Sequence, residues 1–169
     1  MAGDPAGSLD IDELDVIAPG AFAAAVAPLF EGAHGFLGRL ALARPFDSVD
    51  AMFERSREIA HAMPADERIE LIDAHPRLGA APGVVSDLSR EEQASGASDA
   101  TVSAELERLN VAYEARFGFR YCVFVAGRSR AALLPGFRAA LEADRDHEIH
   151  RALDAVIDIA RARYATLTA

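Results

Sequence analysis

His75 is the residue in this sequence best placed for acid–base chemistry, because it directly precedes Pro76 at the end of an apolar helical pattern. A residue before proline disfavours the helical conformation, so the pattern predicts that the helix stops there. An imidazole at a helix C-terminus lies where the helix dipole favours its protonated form, and histidine titrates near neutral pH. A histidine that only hydrogen-bonds the last carbonyls of its own helix fits the same position. The residues alone leave both roles open.

The second candidate is the stretch Ser89-Arg90-Glu91-Glu92-Gln93. Its S-x-x-E spacing is that of a capping box, in which a serine and a glutamate satisfy the first backbone N–H groups of a helix. This explanation accounts for Glu92 fully and predicts that Gln93 lies on the surface. The alternative is a pocket in which the carboxylate of Glu92 is the acid–base partner of the His75 imidazole.

Three further features have plain structural explanations. The run His147-Glu148-Ile149-His150 places two imidazoles three residues apart on one helix, but no second ligand pair stands at a matching spacing, so we expect a solvated face. Cys122 is the only cysteine and lies among apolar residues, which predicts a buried thiol and excludes an intrachain disulfide. Arg163 falls in the last turns of the final predicted helix, where a cation complements the dipole.

The composition excludes several classes of protein. All 17 basic residues are arginine, so no lysine is present to form a Schiff base, and a Walker P-loop is excluded as well. The net charge of −10 makes nucleic acid a poor partner. The single cysteine, the lack of a signal-peptide pattern and the lack of a long apolar run predict a cytoplasmic protein that does not enter a membrane.

Apolar residues recur at helical spacing through most of the chain, which predicts an all-α fold. We expect a single-domain compact helical bundle of about seven to nine helices over residues 11–169, preceded by a flexible N-terminus at residues 1–10. Helix starts are predicted at Pro19, at the capping stretch Asp47-Ser48-Val49-Asp50 and at Ser129, because proline suits the first position of a helix and aspartate or serine suits the cap.

One short stretch departs from the helical pattern. The β-prone residues are Tyr121-Cys122-Val123-Phe124-Val125, and no other stretch of the chain resembles them. Because a single strand has nothing to pair with, we expect an extended buried segment inside the helical domain. Pro135 and Gly136 are expected to interrupt the helix that follows, since proline lacks the backbone donor.

Several segments together resemble one protein family in their order and spacing. They are ARPF (43–46), AHPRLG (74–79), SREEQASG (89–96), LNVAY (109–113), RFGF (116–119) and I-x-R-x-R (159–163). The combination of H-P, S-x-x-E-Q and R-F-G-F resembles the OHCU decarboxylases, which act on 2-oxo-4-hydroxy-4-carboxy-5-ureidoimidazoline in urate breakdown. The resemblance extends from about residue 11 to residue 164. Arg120 departs from it, because it stands where the family usually has proline.

The resemblance implies an all-helical homodimer that works without a metal or an organic cofactor. It implies decarboxylation of OHCU to (S)-allantoin, the third step of urate breakdown, after urate oxidase and hydroxyisourate hydrolase. His75 and Glu92 correspond by position to the catalytic residues. The substrate-binding residues that the resemblance implies are Pro76, Ser89, Arg90, Glu91, Glu92, Gln93, Tyr121, Cys122, Val123, Phe124, Val125 and Arg163.

Two alternatives to this activity stay open. One is a non-catalytic helical binding protein that keeps the fold, with Glu92 as a helix cap and His75 as a helix terminator. The other is a decarboxylase of a related cyclic ureide, because amide-binding groups do not specify one ring. The presence of His75, Glu92, Gln93 and Arg163 together favours an enzyme over the binding protein.

Overall fold

The computed structural model describes residues 9–80 and 100–169, and these residues form an all-α fold, as predicted. This part of the chain contains eight α-helices, a 3₁₀ helix and no strand. In chain order they are α1 (Ile11–Val16), α2 (Pro19–Val26), the 3₁₀ helix (Ala27–Phe30), α3 (His34–Leu42), α4 (Val49–Ala62), α5 (Ala65–Asp73), α6 (Ala100–Phe117), α7 (Arg130–Leu141) and α8 (Arg145–Leu167). None of these helices is long and apolar enough to cross a bilayer.

Helix α8 lies at the centre of the fold. It packs against α4, α5 and the 3₁₀ helix, and its apolar side chains from Ile149 to Ala160 are buried in the core. Among the other helices, α2 packs on α3, α3 packs on α4 and α5, and α6 packs on α7. This arrangement brings the C-terminal part of the chain against the end of α5 and against the 3₁₀ helix near the N-terminus.

The predicted helix starts are confirmed. Pro19 is the first residue of α2. The hydroxyl groups of Ser48 and Ser129 accept hydrogen bonds from backbone N–H groups three residues later, at 3.0 and 3.2 Å. Helix α5 ends at Asp73, two residues before His75, as expected for a chain that approaches proline. Local chemistry therefore sets the end of the helix that precedes the candidate histidine.

The predicted break at Pro135 and Gly136 is wrong, because α7 runs without interruption from Arg130 to Leu141. Pro135 and Gly136 lie on its exposed side, and Ala131, whose carbonyl loses its helical partner to the proline, is exposed as well. Water is therefore able to satisfy that carbonyl. The opposite side of the helix holds it in place by burying Leu133, Leu134, Phe137 and Ala140.

Gly136→Ala is expected to raise the free energy of unfolding by roughly 0.5–1 kcal/mol. Apart from the helix's own backbone, no described atom lies within 4 Å of the position that a Cβ would take there. The added methyl group therefore restricts the unfolded chain without a clash. Urea unfolding followed by circular dichroism measures the change. Gly127→Ala is the control, because φ is 74° at Gly127 and the same methyl group is expected to destabilise the fold.

The first described residues contact the helical body. The carbonyl oxygen of Leu9 accepts a hydrogen bond from the Tyr164 hydroxyl at 2.9 Å, and the side chain of Asp10 caps α1. Residues 1–8 lie outside the described residues. The division into a flexible N-terminus at 1–10 and a domain at 11–169 stays a prediction.

Candidate active site

The imidazole of His75 is buried just after α5, and its two nitrogens have different surroundings. Nδ1 lies 3.1 Å from the carbonyl oxygen of Leu71, so Nδ1 carries a proton and donates this hydrogen bond. Nε2 is also buried and has no hydrogen-bond partner among the described residues. In a neutral ring Nε2 is the acceptor. The histidine thus satisfies its own helix with one nitrogen, while the other offers a lone pair for chemistry.

The surroundings of His75 favour the neutral imidazole. Burial, which is the larger effect, and the positive charge of Arg163 together lower the pKa of His75 to about 4. The hydrogen bond to Leu71 and the negative charge of Glu31 oppose this pKa shift without overcoming it. The expectation that the helix dipole favours the protonated ring is therefore wrong, because desolvation of the charged ring outweighs the dipole. At neutral pH the side chain of His75 is a base.

Arg163 reaches this region from α8, and only 2% of its side chain is exposed. Its Nη1 donates to the carbonyl oxygen of Pro28 at 3.0 Å, and its Nη2 donates to Oε1 of Glu31 at 2.8 Å. Helix α8 continues to Leu167, so Arg163 lies before the last turn and does not serve as its dipole partner. Its contact with substrate stays a prediction, whereas its charge already acts on His75.

Glu31 is a partly buried charged residue that sequence reasoning missed. It directly follows the 3₁₀ helix with φ of 52° and ψ of 28°, a left-handed conformation that residues with a Cβ rarely adopt. Its partner, Arg163, lies 132 positions later in the chain, beyond the reach of any local pattern. One signal was present in the sequence, since Glu31 is the only acidic residue between Val16 and Gly38. His75, Arg163 and Glu31 are called the His75 cluster below.

Arg120 ties the end of α5 to the segment that follows α6. Its backbone N–H donates to Oδ1 of Asp73 at 2.8 Å. Its Nη1 donates to the carbonyl oxygens of Asp73 and His75 at 2.9 and 3.2 Å. A proline at this position would lack both the N–H and the guanidinium. The departure at Arg120 from the residue expected by resemblance therefore supports the turn that carries His75.

The predicted buried segment after α6 is present. Tyr121, Cys122 and Val125 are buried, Val123 and Phe124 are partly buried, and none of the five belongs to a helix or strand. The thiol of Cys122 is buried, as expected. The side chain of Arg128 donates to the carbonyl oxygens of Phe124 and Val125. The substrate contacts predicted for this segment, and for the half-buried Pro76, stay predictions.

Glu148 is buried, so the expectation of a solvated face is wrong for this residue. Its Oε1 accepts hydrogen bonds from the Tyr113 hydroxyl at 2.8 Å and from Nη2 of Arg151 at 2.9 Å. Burial and the contact with Glu148 raise the pKa of Tyr113 above its ordinary value. Nη1 of Arg151 donates to the carbonyl oxygen of Cys122 at 2.9 Å. This network therefore fixes the start of the buried segment to α8.

The two imidazoles of the same run are both exposed. Among the described residues, no group of three or more His, Cys, Asp or Glu side chains is arranged to hold a metal ion. His150 is exposed and stacks on His61 with 5.2 Å between the ring centroids. Nε2 of His61 lies 2.8 Å from Oδ1 of Asp154. The expectation of a solvated face holds for His147 and His150.

The stretch Ser89-Arg90-Glu91-Glu92-Gln93 lies outside the described residues. The pairing of Glu92 with His75 and the binding roles of this stretch stay predictions. Within residues 9–80 and 100–169, the structure brings His75, Arg163 and Glu31 into one cluster, and Arg120 connects His75 to the buried segment. The arrangement offers a neutral base within electrostatic reach of a buried cation.

The sequence model of the family described as OHCU decarboxylase matches residues 16–165 of this chain. The chain belongs to the OHCU decarboxylase family. A relative named 2-oxo-4-hydroxy-4-carboxy-5-ureidoimidazoline decarboxylase, from Haloferax volcanii, is 28% identical over 160 residues, which cover 93% of this chain and 95% of that protein. The predicted membership rested on short motifs, and the match extends over nearly the whole chain.

Longer relatives of this OHCU decarboxylase family member also match. A uric acid degradation bifunctional protein from Bacillus subtilis is 31% identical over 141 residues, which cover 82% of this chain. The chain spans 28% of the length of that protein. A crystal structure of OHCU decarboxylase in the presence of (S)-allantoin has a TM-score of 0.70 and 22% identity, covering 83% of this chain and 94% of that chain. The two proteins therefore share the fold.

The lowered pKa of His75 predicts that the stability of this OHCU decarboxylase family member falls as the pH is lowered from 6.5 to about 4. In that range the unfolded chain binds a proton at His75 that the folded protein does not bind, so acid favours unfolding. The free energy of unfolding therefore includes a contribution from the neutral state of His75, roughly 3 kcal/mol in size. This contribution is present in full above pH 6.5 and is lost by about pH 4. Urea unfolding across this range measures it. We expect a flatter pH dependence for His75→Asn, and equal slopes for parent and variant would contradict the prediction.

Proposed function

We propose that this chain decarboxylates 2-oxo-4-hydroxy-4-carboxy-5-ureidoimidazoline to (S)-allantoin without a cofactor, as a carboxy-lyase. The observation that carries the proposal is the buried imidazole of His75, with Nε2 as an acceptor and the cation of Arg163 nearby. These two groups suit a reaction that moves one proton and releases CO₂ from an anionic substrate. The family match over residues 16–165 and the Haloferax volcanii relative support the same assignment.

The substrate supplies its own electron sink. Loss of CO₂ breaks the bond between the carboxylate and the ring carbon and leaves an electron pair at that carbon. The unsaturated C–N bond beside it accepts the pair, and its nitrogen takes up one proton from solvent. The proton that His75 removes from the hydroxyl is returned to one face of the neighbouring ring carbon as the hydroxyl becomes a carbonyl. The sequence has no lysine for a Schiff base, so a substrate with a built-in sink suits this chain. The protein needs only to orient the carboxylate, move the proton and select the face.

The roles of the residues follow from their surroundings. Nε2 of His75 accepts the proton of the substrate hydroxyl, and Arg163 supplies the positive charge opposite the carboxylate. Because burial and Arg163 keep the pKa of His75 low, the base is in its neutral form at neutral pH. Glu92 binds the ureido or ring N–H groups and orients His75, and Gln93 binds an amide-like edge of the ring. These last two roles rest on the family resemblance.

The buried segment is proposed to contact the remaining amide-like edges through its backbone. The carbonyl oxygens of Phe124 and Val125 already accept hydrogen bonds from Arg128, and that of Cys122 accepts one from Arg151. We therefore expect its N–H groups to meet the carbonyl oxygens of the substrate.

The test is circular dichroism of urate treated with urate oxidase and hydroxyisourate hydrolase, with and without this protein. The proposal expects rapid formation of optically active allantoin only when the protein is present. Slow, racemic product in both samples would overturn the proposal and favour the non-catalytic binding protein. In a second assay, a related cyclic ureide with a carboxylated ring carbon replaces the intermediate. Decarboxylation of that compound would indicate activity on a related ring, whereas its absence would indicate a preference for OHCU.

We also propose, on the family resemblance, that the protein is a cytoplasmic homodimer that follows urate oxidase and hydroxyisourate hydrolase in the pathway. Light scattering coupled to size-exclusion chromatography should give twice the 18.0 kDa mass of one chain. The mass of a single chain would contradict the homodimer and leave the catalytic proposal unaffected.

A further inference from the structure

The ion pair between Glu31 and Arg163 is difficult to explain by stability alone. Only 2% of the Arg163 side chain and 13% of the Glu31 side chain are exposed, so both charges have lost most of their water. Removing water from two charges costs about as much as their attraction returns, and well-packed apolar side chains often stabilise a protein equally well. The pair therefore suggests that the charges themselves are used.

The backbone at Glu31 gives a second reason. Its φ of 52° is in the left-handed region, and the next residue, Gly32, has φ of 72°. Glycine or asparagine is the ordinary choice for such a turn, because a longer side chain crowds the backbone there. A glutamate in this conformation is strained locally and is held by the rest of the structure. The side chain is therefore needed at this place.

The side chain of Glu31 binds the guanidinium of Arg163. Nη1 of this guanidinium donates to the carbonyl oxygen of Pro28, and Nη2 donates to the carboxylate of Glu31. The first contact comes from the 3₁₀ helix and the second from the residue that directly follows it. Two contacts at neighbouring nitrogens fix the rotation of a planar guanidinium as well as its position. The turn at Glu31 therefore contributes to the orientation of Arg163 in the His75 cluster.

We infer that Glu31 is a positioning residue for the decarboxylation, which acts by orienting the Arg163 guanidinium beside His75. The inference rests on the proposed function for the identity of the reaction, and on the ion pair for the geometry. Without the carboxylate, Arg163 keeps its charge and its contact with the Pro28 carbonyl but loses the hydrogen bond from Nη2 to Glu31. A displaced guanidinium still attracts an anionic substrate but no longer meets the developing charge in the right place.

The test compares Glu31→Gln with Glu67→Gln in the full chain. Glu67 pairs with Arg39 on the surface at 2.5 Å, so Glu67→Gln removes an ion pair that does not belong to the His75 cluster. We expect Glu31→Gln to lower kcat by roughly 10–100-fold while KM changes much less. We expect Glu67→Gln to change neither. Equal kcat for parent and Glu31→Gln would overturn the inference.

A readout that needs no substrate separates this inference from the proposed function. Because the negative charge of Glu31 raises the pKa of His75, the imidazole of Glu31→Gln should stay neutral to lower pH than in the parent, as followed by NMR. Absence of decarboxylase activity in the parent protein would contradict the proposed function. An unchanged His75 titration in Glu31→Gln would contradict the inferred effect of Glu31 on the His75 cluster. If Glu31→Gln folds poorly, Glu31→Asp serves instead. It keeps the charge with a shorter reach, so kcat should fall while the His75 titration stays near that of the parent, and parental kcat would overturn the inference.

Discussion

Replacing His75 by asparagine is expected to slow decarboxylation by at least about two orders of magnitude while the fold survives. The asparagine amide is able to donate to the carbonyl oxygen of Leu71, which lies 3.1 Å from Nδ1 of the histidine. No atom of asparagine replaces the basic Nε2, so the substrate hydroxyl loses its proton acceptor. The rate at which optically active allantoin forms measures the effect.

His61→Asn is the matched control, because it removes an imidazole elsewhere in the fold. His61 contacts Asp154 at 2.8 Å and stacks on His150, outside the His75 cluster. Turnover by this variant is expected to equal that of the parent. Urea unfolding of both variants shows whether a loss of turnover reflects a loss of folded protein. Near-normal turnover by folded His75→Asn would remove His75 from its proposed role.

The parts of this fold that depend on local chemistry were predictable from the sequence. The hydroxyl of Ser48 caps α4, Pro19 opens α2, and the approach to Pro76 ends α5. Each of these features depends on hydrogen bonds and steric contacts within a few neighbouring residues. The same local chemistry placed His75 at a helix end, where its Nδ1 contacts the carbonyl of Leu71.

Local rules failed where tertiary packing decides the outcome. Pro135 weakens α7 locally, yet the helix persists because its apolar side is buried and its proline side faces water. Glu148 looked solvated beside two histidines. It lies four and seven positions before Ala152 and Ala155, which are both buried on α8, so the helical period did contain the signal for its burial.

The state of the candidate base was also set by tertiary structure. The helix dipole acts locally and favours a charged imidazole, whereas burial and the charge of Arg163 lower the pKa of His75. Arg163 and Glu31 are separated by 132 positions, and the packing of α8 against the 3₁₀ helix brings them together. A sequence pattern limited to neighbouring residues could not reveal this pair. The family resemblance identified Arg163 but not Glu31.

Arg163→Met is expected to lower both the stability of the fold and the rate of decarboxylation. The largely buried carboxylate of Glu31 would lose the cation of Arg163, and breaking a buried ion pair in this way costs about 3–5 kcal/mol. The pKa of His75 is expected to rise above its value of about 4, because Arg163 no longer opposes the protonated ring. Urea unfolding, NMR titration of His75 and turnover measure the three effects. Arg161→Met is the control, since Arg161 forms an exposed ion pair with Asp50 and is expected to contribute less than about 1 kcal/mol.

The double variant Glu31→Gln with Arg163→Met separates stability from catalysis. It removes both charges of the pair, so neither charge is left buried without the other and much of the lost stability should return. Decarboxylation should stay slow, because the cation opposite the substrate carboxylate is still missing. Recovery of stability without recovery of turnover would show that Arg163 contributes to catalysis beyond holding the fold. Recovery of both together would assign the ion pair a purely structural role and remove Arg163 and Glu31 from the catalytic proposal.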